Sequence, residues 1–489
     1  MGMKTVLQNN TSQSTVVNKS PLMAVMLIGT FVAVLNETLL NVALIQIMNS
    51  LSVTASTAQW LTTGYLLVIG ILIPSSAFLI QRFTTRQLFL TAMSLFTFGT
   101  FLAGISSNFS MLLTSRLIQA TGTGIILPLL TTVILAIIPP EKRGSAMGKL
   151  GFVILCAPAL GPVMSGLIVE HFSWRILFIS ILPIAIFSLI FSAIVLKNVT
   201  EQTKPKIDLL SIFLSTIGFG GIVLGFSMAG EGHGGWLSTK VLSSIITGLI
   251  GISLFIWRQM KLKDPMLNLI AFKNPLFSFS VVIIMIVMMA MFSAMLLLPI
   301  FLQNAVGISP FETGLLLLPG GIIMGVMSPV TGRLFDRFGA KWLAVIGLCI
   351  MTVILILFSQ ITLTTSFSYM MFLHSILMFG VSLLMMPVMT MGLNQLEPHL
   401  HSHGTAITNT LQQVAGAVGT ALLITVMSNG AERYLTQKSA DTSENTKALA
   451  LTAGINDAFT LAATLIIGAL VLSLFLKQTN QKYSESRLH

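Results

Sequence analysis

Charge is what this sequence has least of. Lys, Arg, Asp and Glu together make up 8% of its 489 residues, with 15 acids in all, where a soluble domain carries about 25%. A soluble chain so poor in charge could not cover its surface. A nucleic-acid partner would need a basic patch on a folded soluble surface, and no segment offers one. Cysteine is scarce as well. Cys156 and Cys349 both lie in apolar runs and read as small core residues, not as a disulfide or metal site. There is no Gly-x-x-x-x-Gly-Lys-[Ser/Thr] loop to use ATP and no His-Glu-x-x-His of a membrane zinc protease. No nucleophile–base constellation stands out, so neither an enzyme, a catalytic residue, a metal nor a cofactor is expected. His399, His401 and His403 alternate in an expected loop, which is weak as a ligand pattern.

What is present is apolar length. Hydrophobic residues make up 54% of the chain, and the mean hydropathy is +0.91. The runs are about 20 residues long, the length of a membrane helix rather than of a barrel strand. They fall at 22–48, 58–80, 87–106, 110–137, 146–168, 175–196, 208–230, 239–258, 276–304, 312–330, 341–360, 367–392, 405–428 and 456–476. The expectation is an all-α, multi-pass membrane protein of fourteen spans, with no cleaved leader and both termini on one side.

Basic residues test the count. Lys142, Arg143 and Lys149, then Lys197, Lys204 and Lys206, then Arg258, Lys261 and Lys263, then Arg333, Arg337 and Lys341 all fall on the side of the termini. Arg175, Lys240, Arg433, Lys438 and Lys447 fall on the other. The bias is about four to one and marks the first side as cytoplasmic. Most of the net charge of +11 is therefore a topology signal.

An internal repeat organises the spans. Gly70–Leu88 and Gly325–Leu343 align without gaps at an offset of 255 residues, matching Gly70, Pro74, Leu79, Arg82, Phe83 and Leu88 to Gly325, Pro329, Leu334, Arg337, Phe338 and Leu343. A looser echo pairs the stretch opened by Arg116 with that opened by His374, and Gly144–Gly148 with Gly404–Thr408. The expected layout is a tail at 1–21, a six-helix bundle at 22–196, two inserted helices within 197–275, a second six-helix bundle at 276–476 and a tail at 477–489. Repeats of this kind are the trace of alternating-access transporters, with a site at midplane where the halves meet.

One residue breaks the apolar pattern. Glu37 lies deep in the first run, where a charge costs roughly 2.5–3.5 kcal/mol by insertion scales. A carboxyl there can hold a proton when sealed off and release it when wetted or approached by a cation. The alternative is a permanently neutral group bonded to a neighbouring helix. At the repeat offset its counterpart is Phe292, so the expected pocket has one acidic and one apolar wall, suited to lipophilic, often cationic or zwitterionic molecules. Arg116, about two turns into the fourth run, could place a fixed positive charge near such a carrier, or could snorkel to an interface. Gln119, one turn on, is its expected hydrogen-bond partner. Met is abundant, 28 residues, and concentrated at 284–301 and 378–392, either lining an adaptable cavity or simply packing helices.

Together, the motifs resemble the major facilitator superfamily, and within it the fourteen-helix drug:proton antiporter family of the EmrB/QacA type. GRLFDRFGAK (Gly332–Lys341) is similar to that family's loop motif, RLIQATGTG (Arg116–Gly124) to its fourth-helix motif and ALGPVMSGLI (Ala159–Ile168) to its fifth-helix motif. LNETLLNVAL and FLIQRFTTRQLFL resemble its lincomycin-resistance branch most. The resemblance implies a major facilitator fold and proton-coupled export of small lipophilic drugs by a cell-membrane protein, expected as a monomer in the lipid bilayer. It implies proton coupling and cation binding at Glu37 and Arg116, with Asn36, Asn41, Gln119 and Phe292 as candidate pocket residues. It makes Pro158, Gly161, Pro162 and Gly166 an antiporter hinge, which ordinary close packing would also explain. Gly332, Arg333, Asp336, Arg337, Gly339 and Lys341 become a cytoplasmic gate latch, or else a merely topogenic basic loop. Two departures stand out. In the loop after the second run Gln81, Thr84 and Ala77 replace the motif's Asp and two Gly residues. In the first run Asn36 holds the usual Asp position, so the acid sits one residue on, about 100° around the helix. The rival readings are a narrow-specificity metabolite exporter or importer and a non-transporting membrane sensor or scaffold.

Overall fold

The computed structural model describes residues 19–53, 55–199, 202, 208–230, 236–263, 265–437 and 443–476. They form α1 (Lys19–Leu51), α2 (Ala55–Arg82), α3 (Thr85–Gly104), α4 (Phe109–Ile137), α5 (Arg143–His171), α6 (Arg175–Val195), α7 (Leu209–Gly230), α8 (Thr239–Lys261), α9 (Pro275–Ile300), α10 (Pro310–Phe338), α11 (Ala340–Phe358), α12 (Phe367–Asn394), α13 (His401–Gln437) and α14 (Glu444–Leu474). Each apolar run read from the sequence is a helix. Both expected tails lie largely outside the described residues.

Helix count and span count differ. Among the described residues, twelve helices are long and apolar enough to cross a membrane, thirteen with the bent pair in α2. The helix outside that count is α5, which nevertheless carries an uncharged apolar stretch after Lys149. The bend in α2 is 54°, between Trp60–Ile73 and Ser75–Arg82. It falls at Pro74, where the backbone has no N–H to donate to the preceding turn.

Local chemistry sets the helix ends. Thr84 and Gln87 form a reciprocal capping box at α3, as Ser309 and Glu312 do at α10. Gly339 ends α10 at φ 76°, a conformation glycine adopts freely, and α11 begins at the next residue. That sharp stop aims the end of α10 at α5.

Packing follows the repeat. In the first half α1 packs on α5 and α6, α2 on α4, and α3 on α4 and α6. In the second, α9 packs on α13 and α14, α10 on α12, and α11 on α12 and α14. The halves meet along two seams, α5 against α10 and α2 against α13. The hairpin of α7 and α8 covers only the second, with α7 lying on both α2 and α13. Inside the hairpin, a Cβ on Gly221 would come 2.9 Å from Gly248 Cα, and one on Gly251 2.9 Å from Gly218 Cα, so the two backbones are in contact. The outward faces of α6 and α8 expose Phe187, Ile190, Ile194, Ile246, Trp257 and Met260 as a lipid-facing surface.

The open end of the hairpin, away from its connecting turn, is held by charge. Arg258 Nε and Nη2 donate to Asp208 at 2.8 and 2.9 Å, Ser211 Oγ donates to Asp208 at 2.6 Å, and Gln259 Nε2 donates to Ser211 Oγ at 2.7 Å. The Arg258 hydrogen bond, helped by those from Ser211, pulls the Asp208 carboxyl down to about 2. A depressed carboxyl stabilises the fold above its unfolded value near 4, and the effect is lost as pH falls through the folded value. The melting-temperature gap between wild type and Asp208→Asn should therefore be constant from pH 7 to about 5 and close below about 4. Melts of detergent-purified protein across that range check this.

Candidate functional site

A polar knot sits inside the first half. Arg116 is fully buried. Its Nη1 donates to Gln119 Oε1 at 3.0 Å and to the Asn36 carbonyl at 3.4 Å, and its Nε donates to the Leu61 carbonyl at 3.4 Å. The guanidinium stands 4.0 Å from the centre of the Tyr65 ring, a cation–π contact strengthened where water is excluded. Tyr65 shares a hydrogen bond with Thr123 at 2.8 Å, and Gln119 Nε2 donates to Thr100 Oγ1 at 2.9 Å. Gln119 is thus the partner of Arg116, and Arg116 is held inside the bundle rather than snorkelling outward.

Glu37 follows Asn36 on α1, within the field of that guanidinium. It is half-buried. Among the described residues its carboxylate accepts no hydrogen bond and lies in no ion pair. The neighbouring Thr38 meets α5 at Gly161, where a Cβ would come 2.2 Å from Thr38 Oγ1. Gly161 therefore permits a close crossing of α5 and α1 beside the acid. Gly166 meets only Phe311, at an ordinary 3.8 Å. The backbone of α5 runs unbroken through Pro158 and Pro162, whose side chains lie outside what is described, as does that of Asn41. Phe292 on α9 is half-buried beside Gly416 of α13.

The second half answers the knot with different chemistry. Gly320, at the repeat offset from Tyr65, lets the His374 imidazole lie on its backbone, so that a Cβ there would be 2.5 Å from His374 Cδ2. His374, the echo of Arg116, is buried on α12. A large ring on α2 and a cation on α4 are replaced by no side chain on α10 and an imidazole on α12.

A cross-half contact layer lies at the bundle end that holds the α2–α3 and α10–α11 turns. Asp336 accepts from the backbone N–H groups of Gly144 and Ser145 at 2.9 and 2.8 Å, at the N-terminus of α5, where the helix dipole favours a carboxylate. Gly144 and Gly332 are in backbone contact: a Cβ on Gly332 would be 2.2 Å from the Gly144 carbonyl oxygen. Arg143 Nη1 donates to Asn394 of α12 at 2.9 Å. At the other seam Gln81, at the repeat offset from Asp336, lies 2.8 Å from His403 Nε2, and the Asn268 N–H donates to His403 Nδ1 at 3.2 Å.

Two expectations are corrected here, on the histidines and on Cys349. Among the described residues the basic side chains of Gly332–Lys341 do not pair with the acid. Asp336 is turned across the seam to α5, while Arg337, about 100° further round the helix, lies over the Phe338 ring at 5.1 Å. Nor do the three histidines share a loop. His401 and His403 are buried in the first turn of α13 with separate partners, His401 beside the Leu396 carbonyl at 3.1 Å, and only His399 is exposed. Cys349 is exposed on α11 rather than in a core. Tyr65, Thr100 and Thr123 went unnoticed in the sequence. The one available signal was Tyr65 itself, one of only four tyrosines and set in an apolar run.

A bundle of two repeated halves with a buried cation inside the first is a membrane transporter's architecture. The Major Facilitator Superfamily matches residues 26–420, and the chain belongs to it. It is 49% identical over 473 residues to the lincomycin resistance protein LmrB of Bacillus subtilis (strain 168), covering 97% of this chain and 99% of that one. It is 26% identical over 421 residues to a multidrug resistance protein B homolog of Mycobacterium tuberculosis (strain ATCC 25618 / H37Rv), covering 85% and 78%. Among solved structures it resembles the human organic anion transporter MFSD10, with a TM-score of 0.65 at 13% identity, over 93% of this chain and 99% of that one.

Proposed function

We propose that this protein is a proton-coupled drug exporter of the cell membrane, with both termini cytoplasmic. It would exchange inward protons for outward lipophilic molecules, often cationic or zwitterionic, as the two halves rock about the midplane site. The observation that carries the reading is Glu37: an acid inside a membrane bundle, without a partner among the described residues and half-accessible, beside the fully buried cation Arg116. Uncompensated intramembrane carboxyls are functional by default. A carboxyl that either a proton or a cationic drug can neutralise, but not both at once, is the minimum for exchange. The names of the relatives, lincomycin resistance and multidrug resistance, support drugs as the cargo.

Basic-residue bias assigns the Asp336–Gly144 layer to the cytoplasmic face. Asp336, Arg143 and Gln81 would then latch that face in the present conformation, and Gly161 would let α5 slide on α1 when the latch opens.

Uptake of tetraphenylphosphonium into inside-out vesicles tests the exchange. With an acid lumen the cation should accumulate, and a protonophore should stop it at once. Accumulation that survives the protonophore would sink the coupling.

A further inference from the structure

Serine and threonine in these spans usually satisfy themselves by donating one turn back: Thr100 to the Phe96 carbonyl, Thr132 to that of Pro128 and Thr408 to that of Gly404, all within 2.7–2.9 Å. Thr97, Ser165, Ser188, Ser328 and Thr410 break the habit singly, and on α13 three further side chains break it along one stripe. Thr405 Oγ1, Asn409 Nδ2 and Gln412 Nε2 are buried and have no hydrogen-bond partner among the described residues. Their spacing, i, i+4 and i+7, sets them on one helix face. Gly416 continues it and meets the Phe292 ring, 3.0 Å from where its Cβ would be. Phe292 stands at the repeat offset from Glu37, so the stripe runs beside the residue that replaces the acid in the second half. The same helix packs against α2 and α4, which carry the Tyr65–Arg116 knot.

An orphaned amide donor in a membrane interior carries an uncompensated desolvation cost. Two amides a turn apart, kept at that cost on the helix that meets Phe292, the counterpart of Glu37, are suited to a partner that comes and goes. We propose that Asn409 and Gln412 form the polar recognition edge of the substrate site, reading hydroxyl and carbonyl oxygens of the cargo while Glu37 takes its ammonium group. The preferred cargo is then an oxygen-rich amine rather than a bare lipophilic cation. This rests on the export reading above. It also explains why the second half needs no acid of its own, since its wall recognises the cargo by hydrogen bonds instead of charge.

Two probes with the same tail and charge separate the terms: N-octyl-N-methylglucamine, whose head carries hydroxyls, and octyltrimethylammonium, whose head carries none. Binding is measured on the full chain in nanodiscs. The wild type should prefer the glucamine by about tenfold, about one hydrogen bond's worth. In Asn409→Leu and Gln412→Leu the ratio should fall to near one. Because an apolar side chain removes the orphaned donor, the melting temperature of either variant should hold or rise, and Asn409→Ala repeats the test if leucine does not fit. A wild-type ratio near one, or a ratio that persists in the variants while both probes bind, overturns this inference and leaves export standing. Equal weakening of both probes with a lowered melting temperature overturns it in favour of a packing role. Failure of the wild type to bind either probe overturns the export reading and this one with it.

Discussion

Glu37→Gln should abolish proton-driven accumulation of a monocationic probe while the protein still folds, inserts and binds neutral ligands. Glutamine keeps the size and much of the hydrogen bonding of glutamate but carries neither a charge nor a proton that can be exchanged. Opposite unit charges 4 Å apart are worth about 4 kcal/mol at an effective dielectric of about 20, and each 1.4 kcal/mol is about tenfold in affinity. Cation affinity should therefore fall by up to about three orders of magnitude, with neutral ligands little affected. The sign of the pH effect is also fixed. Protons and cations compete for one carboxylate, so wild-type cation binding in detergent should strengthen as pH rises, whereas the variant should be flat. Titration of tetraphenylphosphonium at pH 6 and pH 8, beside the vesicle assay, reads both. A variant that accumulates the cation as wild type does would make Glu37 a structural residue and move the search for the coupling site to Asp336 and the histidines.

Arg116 sharpens that test. It is fully buried, bonded to Gln119, and stacked on Tyr65, yet it makes no ion pair with Glu37 among the described residues. A direct pair would neutralise the acid permanently and leave no charge for the cargo. A cation held nearby by neighbours of its own biases Glu37 without occupying it.

Glu37 was legible in the sequence because a charge in an apolar run stands out against everything around it. So were all fourteen helices, from run length alone, although α13 and α14 extend well past their runs, α14 starting at Glu444 rather than near 456. Hydropathy reports the part of a helix that touches lipid, and the polar turns beyond it are invisible to that signal. Tyr65 and Thr100 were not legible, since neutral residues in a span carry no cost that marks them. The partner of Asp336 was not legible either. Its choice of the Gly144 and Ser145 amides over Arg337 depends on α10 meeting α5 from the other half of the chain. The repeat offset, by contrast, was visible at once and gained meaning from the structure: it pairs Gln81 with Asp336, Gly320 with Tyr65 and Phe292 with Glu37. In each pair one half keeps the charged or aromatic member and the other a neutral or smaller one, except that the apolar Phe292 outgrows its acid.

The second large effect is expected at the α5–α10 seam, where Gly144→Val should hold the latch open. A Cβ on Gly144 would lie 2.3 Å from Asp336 Oδ1, 2.4 Å from Phe335 Cδ1 and 2.5 Å from the Gly332 carbonyl oxygen. Two of those atoms belong to side chains that can turn away, but the third is backbone, so α10 itself must retreat. Overpacking of this kind costs about 1–3 kcal/mol, and here the cost falls only on the conformation in which the seam is closed. The equilibrium should shift towards the open seam by about one to two powers of ten, with transport slowed because one end of the cycle is disfavoured. A native reporter is in place. Cys156 is buried on the same seam, its Cβ 2.7 Å from where a Gly325 Cβ would stand. In a Cys349→Ser background, a hydrophilic maleimide should label Cys156 at least about tenfold faster in Gly144→Val than without it. Gly468→Val is the control, since nothing lies within 4 Å of a Cβ there, and it should change neither labelling nor transport. Equal labelling in all three proteins would mean that the seam does not open during the cycle, and that Asp336 on the α5 N-terminus is a fixed joint rather than a latch.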